Sequence, residues 1–517
     1  MERLTWPSDP PAHFNFAEDV LDTCAARAPE RTALLSVDEK GTETRWSFGA
    51  FQEQSSRLAH VLQAQGLGRG DIALLMISSL PQAIIARLAV MRAGGVSLLL
   101  RHGSTAREVA HFVERAAPRL AIAGPADAER FPRQLPLLVT PSAELDNALA
   151  GAPAHFASLH LRSAEPEHIV LTGGTTGPPK MVLHTHGSRA YHYLRWTVAF
   201  EPDDLSWDLA GRWWLGAWRQ GTPVFDRAMP TVAGPEIVLD TLARYPITRL
   251  MGPARLFSEL VRQDLTAHSF PRLRGCWSAG QALDPAITRA WMQQTGIPLY
   301  DRYGQSECGE APFQQPDAAM AAAGGIGQAF PWVPMAVIDQ EGRCLPVGAL
   351  GDIAIKVRPV RPPWLFREYL GDPDATAARH RGDWYLTGDV GRVDEAGCYF
   401  LAGRADDVIN CGATNIGPVE LESVLQEHPA VREVAVIGKP HHDLGEIPKA
   451  FVVLEAGYEA TEDLANALIQ HVSAAIHPHK RLREVEFAAA LPRTPEGKLR
   501  RGELRAQERR SAAVGLA

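Results

Sequence analysis

The sequence predicts an α/β protein with a large N-terminal domain of layered sheets and helices and a small α+β C-terminal domain. Three observations carry this. The chain has 517 residues, 45% hydrophobic and 22% charged, enough for a sizeable core and at least two domains. Strand-sized apolar runs alternate with amphipathic stretches through the first part, the pattern of a doubly wound layer structure. Near Gly403–Asp407 two aspartates follow Gly403-Arg404, and beyond them comes a unit of normal small-domain size. The expected division is 1–404 and 405–517.

In chain order, helical patterning spans Phe48–Gln65. Apolar strand candidates follow at Ile72–Ile77, Val96–Leu100, Leu120–Ala123, Leu135–Thr140 and Ile169–Leu171. The small-residue stretch Ala318–Gly327 reads as a surface turn. In the last part, Val431–Ile437 and Ala450–Leu454 read as strands and Glu462–Ile476 as a helix. The tail after Arg505, polar and then Ala/Gly-rich, is expected to fray.

Composition excludes several classes. A net charge of −8 with no Lys/Arg block argues against nucleic acid or an anionic membrane surface as partner. No apolar run approaches the length of a membrane span, and Met1–Pro7 lacks the apolar core of a signal peptide. The six cysteines are scattered without zinc-ligand spacing, as idle thiols in a reducing compartment would be. The expectation is a cytoplasmic enzyme.

The chemistry begins at Thr172-Gly173-Gly174-Thr175-Thr176-Gly177-Pro178-Pro179-Lys180, directly after the strand Ile169–Leu171. Glycines let backbone N–H groups approach a polyphosphate, and three threonine hydroxyls and a lysine add donors. It is not the common triphosphate loop, which needs Gly-Lys-Ser/Thr. Taken alone it fits an ordinary strand-to-helix connection. Four further segments change that reading. Tyr303-Gly304-Gln305-Ser306-Glu307 supplies a hydroxyl and a carboxylate. Tyr385-Leu386-Thr387-Gly388-Asp389 places an aspartate after a turn. Gly403-Arg404-Ala405-Asp406-Asp407 adds a guanidinium and paired carboxylates. Pro495-Glu496-Gly497-Lys498 sets one lysine on a Pro/Gly loop. Each is weak singly; their joint order is specific.

In that order the chain resembles the adenylate-forming superfamily: acyl-CoA synthetases, peptide-synthetase adenylation domains and beetle luciferases. It is most similar to the medium-chain acyl-CoA synthetase branch. The resemblance covers nearly the whole chain, including Phe14–Asp22, Tyr245-Pro246-Ile247-Thr248, Ile409-Asn410, Ile416-Gly417-Pro418, Glu420 and Met181 after the loop. It implies a two-step reaction. A carboxylic acid and ATP give acyl-adenylate and pyrophosphate, and a thiol then displaces AMP.

The resemblance also implies the roles. Lys498, Glu307 and Thr176 would be catalytic, Lys498 bridging carboxylate and phosphate and Glu307 meeting Mg²⁺ as a hard oxygen ligand. Thr172–Lys180 would hold the phosphates. Gly280, Gln281, Asp301, Arg302 and Tyr303 would border the adenine, with Gly304, Gln305 and Ser306 beside it. Asp389 would accept the ribose hydroxyls and Arg404 would donate to ribose or phosphate. Asp406 would be the pivot of a small, mobile C-terminal domain, or a helix cap. A surface lysine, a surface glutamate and a domain-interface arginine are the bland readings of Lys498, Glu307 and Arg404.

Some positions depart from the family. Gly173 stands where serine is usual. Ala413, in Gly412-Ala413-Thr414 along the expected thiol tunnel, replaces a glycine, and Leu444 replaces an arginine facing the CoA phosphates. Coenzyme A is therefore the first expectation for the acceptor, and the phosphopantetheine of an acyl or peptidyl carrier protein the second. Trp213 and Trp214, with Trp207 and Trp218, either bound the acid pocket or pack the core, and Arg212 either pairs with a carboxylate or forms a surface salt bridge. His184 and His186 read as local structure. A non-catalytic nucleotide-binding homologue is the reading from another class; the joint presence of Lys498, Glu307, Asp389 and Arg404 stands against it. The sequence leaves a homodimer open.

Overall fold

The computed structural model describes residues 11–172, 179–209, 211, 213–229, 234–280, 282–310, 313–330, 333–411, 414–441, 443–476, 480–494 and 498–514, with 191–199 excepted. Two seven-stranded, mainly parallel sheets form the body. The first is ordered Glu368–Tyr369, Met181–Thr185, Pro166–Leu171, Val96–Leu99, Ile72–Met76, Leu120–Ala123, Leu137–Val139; the second, Leu299–Arg302, Gly275–Ala279, Arg249–Gly252, Ser206–Asp208, Val224–Arg227, Thr32–Val37, Glu43–Ser47.

The strand Ile72–Met76 shows why these runs are apolar throughout. Ala73 and Leu75 enter the core between the two sheets, while Leu74 and Met76 pack on the opposite face. A parallel strand covered on both sides has no polar face to offer. The helices Phe48–Ala64 and Leu80–Arg92 lie in the layer between the sheets. Phe48, Phe51, Leu58, Leu62, Ile84 and Leu88 join residues of both sheets in one buried cluster.

A third, antiparallel sheet runs Phe313–Gln314, Gly325–Ala329, Cys398–Arg404, Trp384–Val393, Gly351–Lys356, Met335–Ile338. A smaller sheet begins after it with Ile409–Cys411 and contains Val431–His441, Gly445–Leu454 and Glu484–Phe487. The helix Glu462–Ala475 packs on that sheet through Leu468 and Val472.

Two expectations are corrected. Ala318–Gly327 is not a surface turn: Asp317 caps the helix Ala318–Ala322, and Gly325–Ala329 is a strand with Ile326 buried. The small residues serve close approach, since a Cβ on Gly327 would stand 2.0 Å from Gln314 O and one on Gly325 2.7 Å from Cys398 Sγ. The tail does not fray directly after Arg505, because a helix runs Arg501–Val514; residues 515–517 lie outside the described residues. It is tied down by buried Leu504 and by Glu508, which accepts a 2.6 Å hydrogen bond from Lys449 Nζ.

Candidate active site

The strand Pro166–Leu171 delivers Thr172, and the two ends of the following loop are stitched together. Thr172 N donates to Lys180 O at 3.0 Å, and Lys180 N donates to Thr172 Oγ1 at 2.9 Å. Pro179 and Lys180 then enter the antiparallel strand Met181–Thr185. Gly173, Gly174, Thr175, Thr176, Gly177 and Pro178 lie outside the described residues, as do Gln281, Arg212, Gly412 and Ala413.

Gly280 and Asp301-Arg302 stand together at the carboxyl ends of neighbouring parallel strands, where Ser278 pairs with Asp301 and Ala279 with Arg302. Open α/β sheets bind ligands at such ends. Gly280 has φ +97°, a conformation suited to glycine. Burial raises the Asp301 carboxyl to about 7, against one hydrogen bond from Leu283 N. Lys498 comes to the same place from the small C-terminal unit: a Cβ built on Gly280 would lie 3.8 Å from Lys498 Cε. Thr494 N donates to Lys498 O at 2.7 Å and Lys498 N to Thr494 Oγ1 at 3.2 Å, closing the base of the lysine's loop.

Tyr303 continues from Asp301-Arg302 and donates its hydroxyl to Asp389 Oδ2 at 2.6 Å, its ring packing edge-on against Phe313. Gln305 Nε2 donates to the same oxygen and, at 2.8 Å, to Thr387 O. Arg404 donates to Asp389 Oδ1 at 3.0 Å. The segment Tyr385–Asp389 is not a turn outside the sheet; it is an irregularity inside the strand Trp384–Val393, with Gly388 at φ +76°. A side chain there would meet Arg379 Nη1 at 2.5 Å and Arg404 Nη2 at 2.8 Å, so the glycine is what lets two guanidiniums converge. Asp406 lies 3.8 Å from Arg404 and is half exposed, while its neighbour Asp407 is gripped by Arg501 and Arg505 of the last helix.

Glu307 is buried. Its Oε1 accepts from Tyr369 Oη at 2.6 Å, Arg379 Nη2 stands 3.9 Å away, and its carbonyl accepts from Phe366 N at 2.7 Å. His184 Nε2 lies 2.6 Å from Ser306 O, and its ring stacks on His168, which pairs with Glu167. The expectation of mere local structure at His184 therefore needs correcting, because this histidine steadies the loop bearing Ser306 and Glu307. Tyr369 and Arg379 are absent from the sequence reading. Tyr369-Leu370-Gly371-Asp372-Pro373 looks like a plain turn, and only tertiary contact reveals the partners of its tyrosine.

These contacts form one continuous line. From Lys498 it passes through Gly280 and its neighbouring strand to Tyr303 and Asp389. Arg404 and Arg379 then carry it to Tyr369, which meets both Glu307 and Lys180. The tryptophans are buried: Trp213 packs edge-on against Trp277, and Trp214 against Phe16 and Trp218. Thr414 opens the short strand Thr414–Ile416, and Leu444 packs on the core of the small sheet.

No group of three or more His, Cys, Asp or Glu side chains suited to a metal occurs among the described residues. A single buried carboxylate with one oxygen already hydrogen-bonded would make a poor cage. It does fit a magnesium ion carried on a polyphosphate, which needs only one or two protein carboxylates.

Residues 21–370 match the AMP-binding enzyme family, and residues 420–498 match the AMP-binding enzyme C-terminal domain. The chain belongs to the AMP-binding enzyme family. The human mitochondrial acyl-coenzyme A synthetase ACSM5 is 36% identical over 530 residues, covering 96% of this chain and 91% of that protein. Mouse mitochondrial acyl-coenzyme A synthetase ACSM4 is 35% identical over 535 residues, with the same coverage of 96% and 91%. Among solved structures, ATP-bound MatB from Rhodopseudomonas palustris matches with a TM-score of 0.83 at 26% identity, covering 94% of this chain and 99% of that one. A benzoate CoA ligase from Burkholderia xenovorans LB400 shares the fold, with a TM-score of 0.83 at 24% identity over 95% of this chain and 100% of that one. These agree in a layered α/β body with a smaller C-terminal unit.

Proposed function

We propose that this chain is an AMP-forming acid–thiol ligase that activates a carboxylic acid with ATP and transfers the acyl group to coenzyme A. The observation that carries the reading is the approach of Lys498 to Gly280, at one end of the line that also contains Asp389, Arg404 and Glu307. We place the domain division at 404/405, after the last strand of the third sheet and before the first of the small one, so that the lysine belongs to the smaller unit.

In the first step a carboxylate oxygen attacks the α-phosphorus, and the bond to pyrophosphate breaks. Negative charge on the phosphoryl oxygens and leaving group falls to positioned cations and donors. Lys498 supplies a charge between carboxylate and α-phosphate, while Lys180 and the hydroxyls of Thr172, Thr175 and Thr176 hold the β- and γ-phosphates. Magnesium bound with ATP would supply charge neutralisation beside Glu307. Asp389 accepts from the ribose hydroxyls, with Arg404 donating to its Oδ1. Gly280, Gln281 and Asp301–Tyr303 border the base, with Gly304, Gln305 and Ser306 carrying the chain on to Glu307. In the second step the thiol attacks the acyl carbon and AMP leaves. Gly412, Ala413 and Thr414 border the thiol's path, and Asp406 is the pivot. Arg212, Trp213 and Trp214 are proposed to shape the acid's surroundings, Trp213 through its contact with Trp277.

All six cysteines are unpaired, which suits a reducing compartment, and the cytoplasm is the one we propose. No described helix is long and apolar enough to cross a membrane.

The test is pyrophosphate release over short, medium, branched and aromatic acids, with coenzyme A and a pantetheinylated carrier protein offered in parallel. Acid-dependent release with acyl transfer to coenzyme A is expected. Transfer only to the carrier would correct the acceptor, and no AMP with any acid would remove the enzymatic reading.

A further inference from the structure

Tyr369 is almost fully buried, and its hydroxyl sits between two groups of fixed hydrogen-bond character. Arg379 Nε donates to it at 3.1 Å, and Glu307 Oε1 accepts from it at 2.6 Å. A guanidinium can only donate and an ionised carboxylate can only accept. The single phenolic proton must therefore point at Glu307.

The other face of the same residue meets the phosphate loop. Lys180 Nζ lies 4.8 Å from the centre of the Tyr369 ring, within the range of a cation–π contact. The backbone enforces the meeting. Tyr369 pairs antiparallel with Val182, and Leu370 N donates to Met181 O at 2.8 Å, on the strand that starts directly after Lys180. One side chain thus joins the exit of the Gly/Thr loop to a carboxylate far from it in sequence. A phenylalanine would satisfy packing against Phe366 and Tyr385; only a tyrosine also orients Glu307.

We propose that Tyr369 is a positioning residue for the adenylation step, its hydroxyl setting the Glu307 carboxylate toward the ATP-borne magnesium and its ring seating the Lys180 ammonium against the phosphates. This rests on the reading of Glu307 as the metal-facing carboxylate. Arg379 acts behind it, fixing which way the phenolic proton points.

The test is calorimetric titration of ATP into the full-length protein, in excess Mg²⁺ and in EDTA, with no acid present. The wild type, Tyr369→Phe, Tyr369→Leu, Arg379→Gln and Glu307→Gln are compared. Tyr369→Phe is expected to lower the Mg²⁺-dependent gain in ATP affinity by about 5–10-fold while leaving the affinity in EDTA unchanged. Arg379→Gln should move the same ratio in the same direction by less, and it carries the test if Tyr369→Phe fails to fold. Tyr369→Leu should also weaken binding in EDTA by about 3–5-fold, as Lys180 loses its seat. A wild-type Mg²⁺ gain in Tyr369→Phe, with the gain lost in Glu307→Gln, overturns the proposal and leaves the Glu307 reading standing. A wild-type gain in Glu307→Gln overturns that reading and the proposal with it. Unchanged EDTA affinity in Tyr369→Leu removes the part assigned to the ring.

Discussion

Lys498 lies at one end of the line of contacts and Asp389 near its middle, and the protein holds them in different ways. Asp389 and Arg404 are register partners on adjacent strands of one sheet, and Tyr303 and Gln305 reach the same carboxylate from the neighbouring segment. Everything that orients this carboxylate belongs to the large body. Lys498 belongs to the small unit and reaches Gly280 from it. Among the contacts that seat it are Arg289 with Glu427 at 2.9 Å, Arg262 with Glu455 at 3.2 Å, and Arg262 with Arg432 O at 2.8 Å. Exposed pairs of this kind contribute about 0–1 kcal/mol each. For the function we propose, a site built within one sheet, opposed by a lysine on a separately fastened unit, suits two successive reactions at one bound intermediate.

The largest expected effect separates these two residues. Lys498→Ala should slow acyl-adenylate formation by about 100–1000-fold, the cost of losing one transition-state charge contact. Transfer from a supplied acyl-adenylate to coenzyme A should stay within a few-fold of wild type. Half-reactions measured separately by pyrophosphate exchange and by AMP release check this. Equal losses in both steps would make the lysine part of the site built within the sheet.

Asp389→Ala should act on both steps alike, weakening ATP binding by about 10–50-fold and lowering Tm, because Tyr303, Gln305 and Arg404 lose a shared acceptor. Nucleotide titration with a parallel melting curve measures it. A smaller effect belongs to the fastening. The double variant Arg262→Ala/Arg289→Ala should reduce adenylation by about 2–5-fold and leave thiol transfer unchanged or faster.

The smallest effect sharpens the character of the large body through pH. Burial lifts Asp301 to about 7, so the folded protein holds that proton more tightly than the unfolded chain, whose carboxyl titrates near 4. The stability it contributes is fully present below about pH 4 and is lost as pH rises through about 7. Asp301→Asn removes that loss and keeps an acceptor for Leu283 N. Its Tm should match wild type near pH 4 and exceed it at pH 8.

The body and the polar segments were legible for identifiable reasons. Ile72–Met76 and Leu120–Ala123 are short apolar runs covered on both faces, and such runs announce themselves. Lys498, Glu307, Asp389 and Arg404 sit in segments whose Gly, Pro and acidic residues stand out from the surrounding pattern. Tyr369 and Arg379 do not stand out, since a tyrosine in a turn and an arginine after a short helix acquire meaning only from what the fold sets beside them. Ala318–Gly327 misled because small residues mark both exposed turns and tight backbone approaches, and here Gly325 and Gly327 serve the second purpose. The partner of His184, Ser306 O, lies far away in sequence and is supplied only by the tertiary fold.

Hydrogen–deuterium exchange of the full-length protein with and without ATP and Mg²⁺ tests most directly whether these scattered segments face one nucleotide. Amides across Thr172–Lys180, Asp301–Glu307 and Thr387–Asp389 are expected to slow together on ATP addition, with a common concentration dependence. Protection confined to one of these segments, or appearing at different ATP concentrations in each, would contradict a single shared site.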